Sequence, residues 1–265
     1  MKTACFDMPF FLFEGVHFVE SFHFEIAGSV FSVQPLFQST KEYCKPYLTD
    51  KEPEFLVSVR NDDLAFEQAL LEQEAVEQGL KIRKFKEPFL ERSVIQRQVA
   101  DFLVSRNTLM LHGSTVSVDG QAYLFTAPCG TGKSTHTEKW IRLFGAHYLN
   151  DDKPIIRLVD GKWIAYGTPW SGKHDLSRPE KAPLGAVAFL QRGTENSICR
   201  LEPQEAIPYY VSQLLRAISG ELMQQQLTLL DRLLQDVPAY LLTCRNDDEA
   251  AFTAKAAMEV LNGND

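Results

Sequence analysis

The eight residues 127–134, "APCGTGKS", constrain the fold of this 265-residue chain more than any other stretch. Ala or Gly, four residues, then Gly-Lys-Ser is the pattern of a loop that wraps a nucleotide phosphate. Gly130 and Gly132 can adopt positive φ, which turns successive backbone N–H groups toward one anion. Lys133 is then placed to reach the β and γ phosphates, and Ser134 to offer its hydroxyl to Mg²⁺. Such a loop works between a strand and a helix whose positive end faces the same charge. "QAYLFT" before it reads as the strand and "STHTEKWIRLF" after it as the helix. The expected contacts to ATP or another NTP are therefore Ala127, Pro128, Cys129, Gly130, Thr131, Gly132, Lys133, Ser134 and Thr135. Ala127 precedes a proline and is biased toward extended backbone, which the exit from a strand permits.

The surroundings of the loop set the sheet type. "TVSV" and "QAYLFT" are joined by Asp119-Gly120, a strong signal for a two-residue hairpin, and "PIIRLV" and "KWIAYG" are joined in the same way by Asp160-Gly161. Two hairpins flanking the loop predict an α/β fold with a mixed sheet in place of a plainly parallel one. Further strands are expected at "LGAVAFLQR" and "AYLLTC". Amphipathic helices are expected over residues 202–219 and 221–237, with a last helix over residues 248–261.

Three further groups could serve phosphate chemistry. "LNDDKP" puts Asp151 and Asp152 one helix and a short strand beyond Lys133. Carboxylates at a strand end beside a phosphate loop suit Mg²⁺ or the acceptance of a proton from an attacking hydroxyl. An ordinary turn into a hairpin also favours Asn and Asp. His112, in "LMLHGS", ends a strand expected to run beside the loop strand, where it would orient or tune Asp151. His136 and His147 are read as structural. "GTPWSGKHD", residues 167–175, is a second loop rich in Gly and Lys, in which Lys173, assisted by Ser171, would meet the transferred phosphoryl group or an acidic acceptor. The bland alternative is a surface turn anchored by Trp170.

Composition excludes several classes. The formal charge is -8 with no basic block, so sequence-independent nucleic-acid binding has little support. Cys5, Cys44, Cys129, Cys199 and Cys244 form no C-x-x-C pair and resemble neither a disulfide framework nor a zinc site, which predicts a reducing, cytoplasmic setting. Asp7, Pro9 and Glu14 interrupt the apolar start, and no stretch reaches membrane-spanning length, so neither a signal peptide nor a membrane partner is expected.

The boundary is placed after residue 106, giving a smaller β-rich α+β part over residues 1–106 and the nucleotide-binding part over residues 107–265. The smaller part carries short strands with turns at Gly15 and Gly28, a polar, proline-broken stretch over residues 38–54, and a strand at "FLVSVRN". Two helices follow, the first ending at Gly79 and the second over about residues 90–105 with Val94, Ile95, Val99, Phe102 and Leu103 facing the core.

A strand ending in His-Gly, a hairpin, A-x-x-G-x-G-K-S, a helix and then Asp-Asp resembles the catalytic core of HPr kinase/phosphorylase and its relatives in the phosphoenolpyruvate carboxykinase-like superfamily. "FTAPCGTGKSTHTEKW", "NDDKP" and "YGTPWSGKH" look most like the HPr-kinase-related proteins of bacteria. The resemblance covers about residues 107–260. It implies a phosphoenolpyruvate carboxykinase-like P-loop domain and a kinase using ATP and Mg²⁺. In that reading Lys133 and Ser134 contact phosphate and metal, Asp151 is the base that deprotonates a serine hydroxyl with His112 as its neighbour, and Asp152 lies on the metal side. The implied partner is a protein or peptide with an acceptor serine. The chain shows no stretch like the one tied to phosphorylase activity, carries Cys129 where serine is common, and is too short for a full phosphoenolpyruvate carboxykinase. The resemblance therefore does not carry over the reverse reaction or the HPr substrate.

Other readings stay open on the residues alone: a small-molecule hydroxyl as acceptor, water as acceptor in a simple NTPase, or a nucleotide-sensing or peptide-binding module. A positioned base beyond the binding loop weighs against pure sensing. The amphipathic C-terminal helices are compatible with a homo-oligomer and equally with packing inside one chain.

Overall fold

The computed structural model describes residues 19–77, 79–128, 130–172 and 174–259. The expected turn at Gly15, the expected nucleotide contact Cys129 and the candidate phosphoryl contact Lys173 lie outside the described residues. The smaller part opens with a hairpin, β1 (Phe22–Ile26) and β2 (Ser29–Gln34), closed by Ala27 and Gly28 at φ of 51° and 78°. β3 (Phe55–Ser58) adds to β2 in parallel. Between them the polar stretch holds a short helix α1 (Gln38–Tyr43) and a 3-10 turn, where the proline-broken sequence predicts none. α2 (Asn61–Glu77) and α3 (Glu87–Val104) follow as expected.

The rest of the chain builds one sheet of nine strands among the described residues. These are β4 (Thr108–Met110), β5 (Ser114–Val118), β6 (Gln121–Thr126), β7 (His147–Asn150), β8 (Ile155–Val159), β9 (Lys162–Tyr166), β10 (Lys181–Arg192), β11 (Ser197–Leu201) and β12 (Ala239–Cys244). Interspersed are α4 (Lys133–Phe144), α5 (Pro203–Gln213), α6 (Gly220–Asp236) and α7 (Glu249–Glu259). β10 joins two halves. Its first residues pair antiparallel with β9, extending the ladder β4-β8-β9, and the remainder lies parallel between β6 and β12. The sheet is thus mixed, as the two Asp-Gly turns imply. Both turns take positive φ at each central residue, 52° and 78° at Asp119 and Gly120, 49° and 77° at Asp160 and Gly161, the geometry that matches strand twist.

One expectation is corrected by the strand order. The strand ending at His112 does not run beside the loop strand; β4 pairs with β8, and β6 is flanked by β5 and β10. The hairpin and the crossover fill both edges of β6, so β4 has no edge there to join. His112 still approaches the loop, because the chain continues from β4 straight into β5, and Thr126 Oγ1 donates to the His112 carbonyl at 2.6 Å. The helix expected over residues 202–219 also stops at Gln213, after which Leu214 bridges to Leu111. β11 is a short strand, Ser-Ile-Cys-Arg-Leu, that is not anticipated from the sequence.

Both faces of the sheet are covered, which explains why β6 is buried along almost its whole length. Ala122 and Leu124 face α5 and α6 with Tyr210, Leu230 and Leu233; Tyr123 and Phe125 face α4 and α7 with Trp140, Ala251 and Met258. The smaller sheet packs on α3, and its core runs on without a break to Met110, Ile155 and Trp170 of the larger part. Each large apolar side chain buried this way contributes about 1.5–3 kcal/mol. α4 is fixed by Trp140, which lies 5.0 Å from the Tyr123 ring and 5.1 Å from the Phe125 ring.

Candidate functional site

β6 delivers the chain into the glycine loop, and the first loop residue explains its own identity. Ala127 is 2% exposed, its methyl packed in the cluster of Phe125 and Trp140, so alanine is held by packing where glycine would leave a gap. Gly130 and Gly132 have φ of 78° and 120°, and a β carbon added at either would meet nothing within 4 Å, so backbone conformation and not crowding calls for glycine at both. Gly132 caps α4, whose first turn presents the solvent-exposed Ser134 and Thr135. Lys133 folds back to donate to the Ala127 carbonyl at 2.8 Å. Arg192, at the end of β10, donates to the Gly130 carbonyl at 2.7 Å and to the Thr131 carbonyl at 3.3 Å, bracing the loop from the neighbouring strand. Below, Thr137 meets Tyr148 at 2.9 Å, tying α4 to β7.

β7 ends at Asn150, and this residue organises the acidic turn. Fully buried, it accepts the backbone N–H groups of Asp152 at 2.8 Å and Lys153 at 2.6 Å. Its amide donates to the Thr168 carbonyl at 2.9 Å, the Thr168 hydroxyl at 3.0 Å and the Trp170 carbonyl at 3.2 Å. One side chain therefore joins the Asp-Asp turn to the "GTPW" loop. Thr168 closes the knot by donating to the Lys153 carbonyl at 2.8 Å. Gly167 is required by space: a β carbon there would stand 1.8 Å from the Arg178 carbonyl oxygen.

The two carboxylates have different partners. Asp151 accepts the Gly172 N–H at 2.7 Å. A β carbon on Gly172 would lie 2.9 Å from the second Asp151 oxygen, so only glycine lets the second loop come this close. Asp152 pairs with His112 Nε2 at 3.2 Å, and His112 Nδ1 lies 3.1 Å from the side-chain oxygen of the buried Gln213. The histidine thus belongs to Asp152, where the sequence points to Asp151.

These surroundings drive the two acids apart. Burial, reinforced by the charge of Asp152, raises the Asp151 pKa above the ordinary aspartate value against the pull of the Gly172 N–H. Burial acts on Asp152 as well, but the His112 hydrogen bond and the charges of Lys153, His112 and Lys133 outweigh it and hold this carboxyl below the ordinary value. His112 is itself held down, by burial first and then by Lys153 and Lys133 against the pull of Asp152. Lys133 acts on both His112 and Asp152, so the phosphate-loop lysine and the acidic turn share one electrostatic neighbourhood.

Of the candidate residues in the sequence, Lys133, Asp151, Asp152 and His112 converge here. Ser134 and Thr135 stand at the start of α4. Ser171 donates its hydroxyl to Asp175 at 2.6 Å and its N–H to the Tyr43 hydroxyl at 3.1 Å, so it is spent on the loop's own shape. His136 is structural: burial holds its pKa down at about 3, and it accepts the Trp140 N–H at 3.1 Å. His147 pairs with Glu180 at 3.0 Å, away from the site. Asn150 and Lys153 in "LNDDKP" and Gly172 in "GTPWSGKHD", to which the sequence assigns no role, join the site, as do Gln213 and Arg192, which no motif marks. For Asn150 a local signal exists, since Asn before Asp-Asp is an ordinary Asx-turn opener.

No protein-family model matches the chain, and no curated protein matches it. Among solved structures the chain is similar to the HPr(Ser) kinase/phosphatase from Coxiella burnetii, at 12% identity and a TM-score of 0.36, over 58% of this chain and 99% of that one. Likeness at that level identifies neither family nor activity, and the reading of the site rests on its own residues.

Proposed function

We propose that this protein is a kinase that uses ATP, with Mg²⁺, to phosphorylate a hydroxyl group. The observation that carries the reading is geometric: a strand–loop–helix unit with Gly130 and Gly132 at positive φ ahead of Lys133, beside two adjacent carboxylates with different partners, Asp151 on the Gly172 N–H and Asp152 on His112. Paired acids whose environments push them apart mark a division of roles. Asp151, raised toward the operating range, suits a general base. Asp152, kept ionised and hydrogen-bonded by His112, suits the metal side, as ligating carboxylates are themselves held by hydrogen bonds.

The residues fit Mg²⁺ in the form it takes with nucleotides. Such an ion keeps most of its shell as water and phosphate oxygen and needs only one or two protein groups. Ser134 and Asp152 would hold it, and it would neutralise charge on the phosphates. The backbone N–H groups of the loop and α4 would grip the phosphates, with Lys133 released from Ala127 to reach them. Asp151 would take the proton of the acceptor hydroxyl as its oxygen bonds to the γ phosphorus and the bond to the β-phosphate oxygen breaks, leaving ADP. The protein's share is positioning and charge compensation.

ADP formation with Mg-ATP tests this. Wild-type protein should release ADP, faster when an acceptor is present, and Lys133→Ala should abolish the release. ADP release by Lys133→Ala at the wild-type rate would remove the reading.

A further inference from the structure

A cavity of about 580 Å³ lies between the helices of the smaller part and the two loops of the site. Asp152 and Gly172 form part of its wall, and Gly172 is the residue whose N–H holds Asp151. The cavity therefore adjoins the base, with α2 and α3 as its far walls. Its volume is in the range of small-molecule sites, about 300–1,000 Å³. Tyr43, Leu71 and Trp170 give it apolar surface.

Its charges show what it would take. Arg97 is engaged: it makes a two-pronged pair with Glu67, 3.0 Å on each arm, and lies 3.6 Å from Glu74. Asp152 is engaged by His112. Two cations lining the cavity are left over. Arg92 stands over the Tyr43 ring at 4.4 Å, and Lys153 follows the acidic turn; neither has an ion pair within 4 Å among the described residues. Cations beside a partly enclosed apolar wall favour an anion that makes charge-assisted hydrogen bonds. Gly172, in the cavity wall, holds Asp151 by its N–H, so an acceptor hydroxyl on that side of the cavity would lie toward Asp151.

We propose that the phosphoryl acceptor is a small hydroxy acid seated in this cavity, its carboxylate on Arg92 and Lys153 and its hydroxyl toward Asp151. This rests on the kinase reading and gives the smaller part of the chain a task, as the wall of the acceptor site. It stands against a protein serine, which would need an open approach to Asp151.

Trp170 in the cavity wall gives a direct readout. Its emission should change saturably with D-glycerate, L-lactate or L-malate and not with glycerol, and the change should vanish in Trp170→Phe. Arg92→Ala and Lys153→Ala should each weaken that binding roughly ten-fold or more, the effect of losing one charge-assisted contact. Mg-ATP affinity, measured on the same samples, should stay at the wild-type value in Arg92→Ala, and a cooperative unfolding transition should show that both variants fold. Three results would overturn the proposal. One is that Mg-ATP binds but none of the three acids does at millimolar concentration. Another is acid binding that both substitutions leave intact. The third is a serine-containing peptide phosphorylated while the acids are not. Absence of Mg-ATP binding would be the different failure, that of the kinase reading itself.

Discussion

Asp151→Asn should lower turnover by about 10²–10⁴ while leaving Mg-ATP affinity near that of the wild type. The substitution preserves shape and retains an oxygen for the Gly172 N–H, so the loop contact at 2.7 Å survives. What is lost is the basicity that burial and the neighbouring Asp152 confer. The wild-type rate should accordingly fall on acidification, with a midpoint above the ordinary aspartate value, because protonated Asp151 cannot accept the acceptor's proton. Asp152 is held below that value and stays ionised through the same range. The acid limb should therefore disappear from the residual rate of Asp151→Asn. Steady-state rates across pH on both proteins check this, and an Asp151→Asn enzyme with wild-type turnover would assign the base elsewhere.

Asn150→Ala should cost about 3–5 kcal/mol of stability and lower Tm by about 10 °C. The figure follows from what the side chain satisfies. Two N–H groups of the acidic turn and the carbonyls of Thr168 and Trp170 lose their partner inside a fully buried site. Unsatisfied buried groups cost about 1–3 kcal/mol each, offset in part by relaxation and entering water. Turnover should fall as well, since Asp151 and Gly172 belong to the two loops that Asn150 ties together. Denaturant unfolding with the mutant and wild type gives the number; a loss below about 1 kcal/mol would show that the loops hold each other without it.

Local chemistry made much of this molecule legible. The two Asp-Gly hairpins, the helix cap at Gly132 and the turn at Gly79 are set by residues within a few positions of each other, and the strands they join followed. The mixed sheet could be inferred from those hairpins alone. What the chain did not announce depends on distant partners. β4 finds β8 and not β6 because a hairpin and a crossover have filled the edges of β6. β11 is a strand because β12 offers it an edge, and its five residues are too few to show a strand pattern on their own. The same distinction divides the site. Lys133 and the aspartates stood out by spacing, whereas the pairing of His112 with Asp152 and the cavity walled by α2 and α3 arise only when segments far apart in sequence meet.

Base, metal side and acceptor cavity all presuppose a nucleotide on residues 127–134, and thermal unfolding with added Mg-ATP reports on that binding alone. A ligand that binds only the folded state raises apparent stability, by about 2.7 kcal/mol at a hundred times its Kd. Tm should rise for wild type and Asp151→Asn and stay unchanged for Lys133→Ala. Equal Tm with and without Mg-ATP in the wild type, or an undiminished rise in Lys133→Ala, would refute nucleotide binding at this loop.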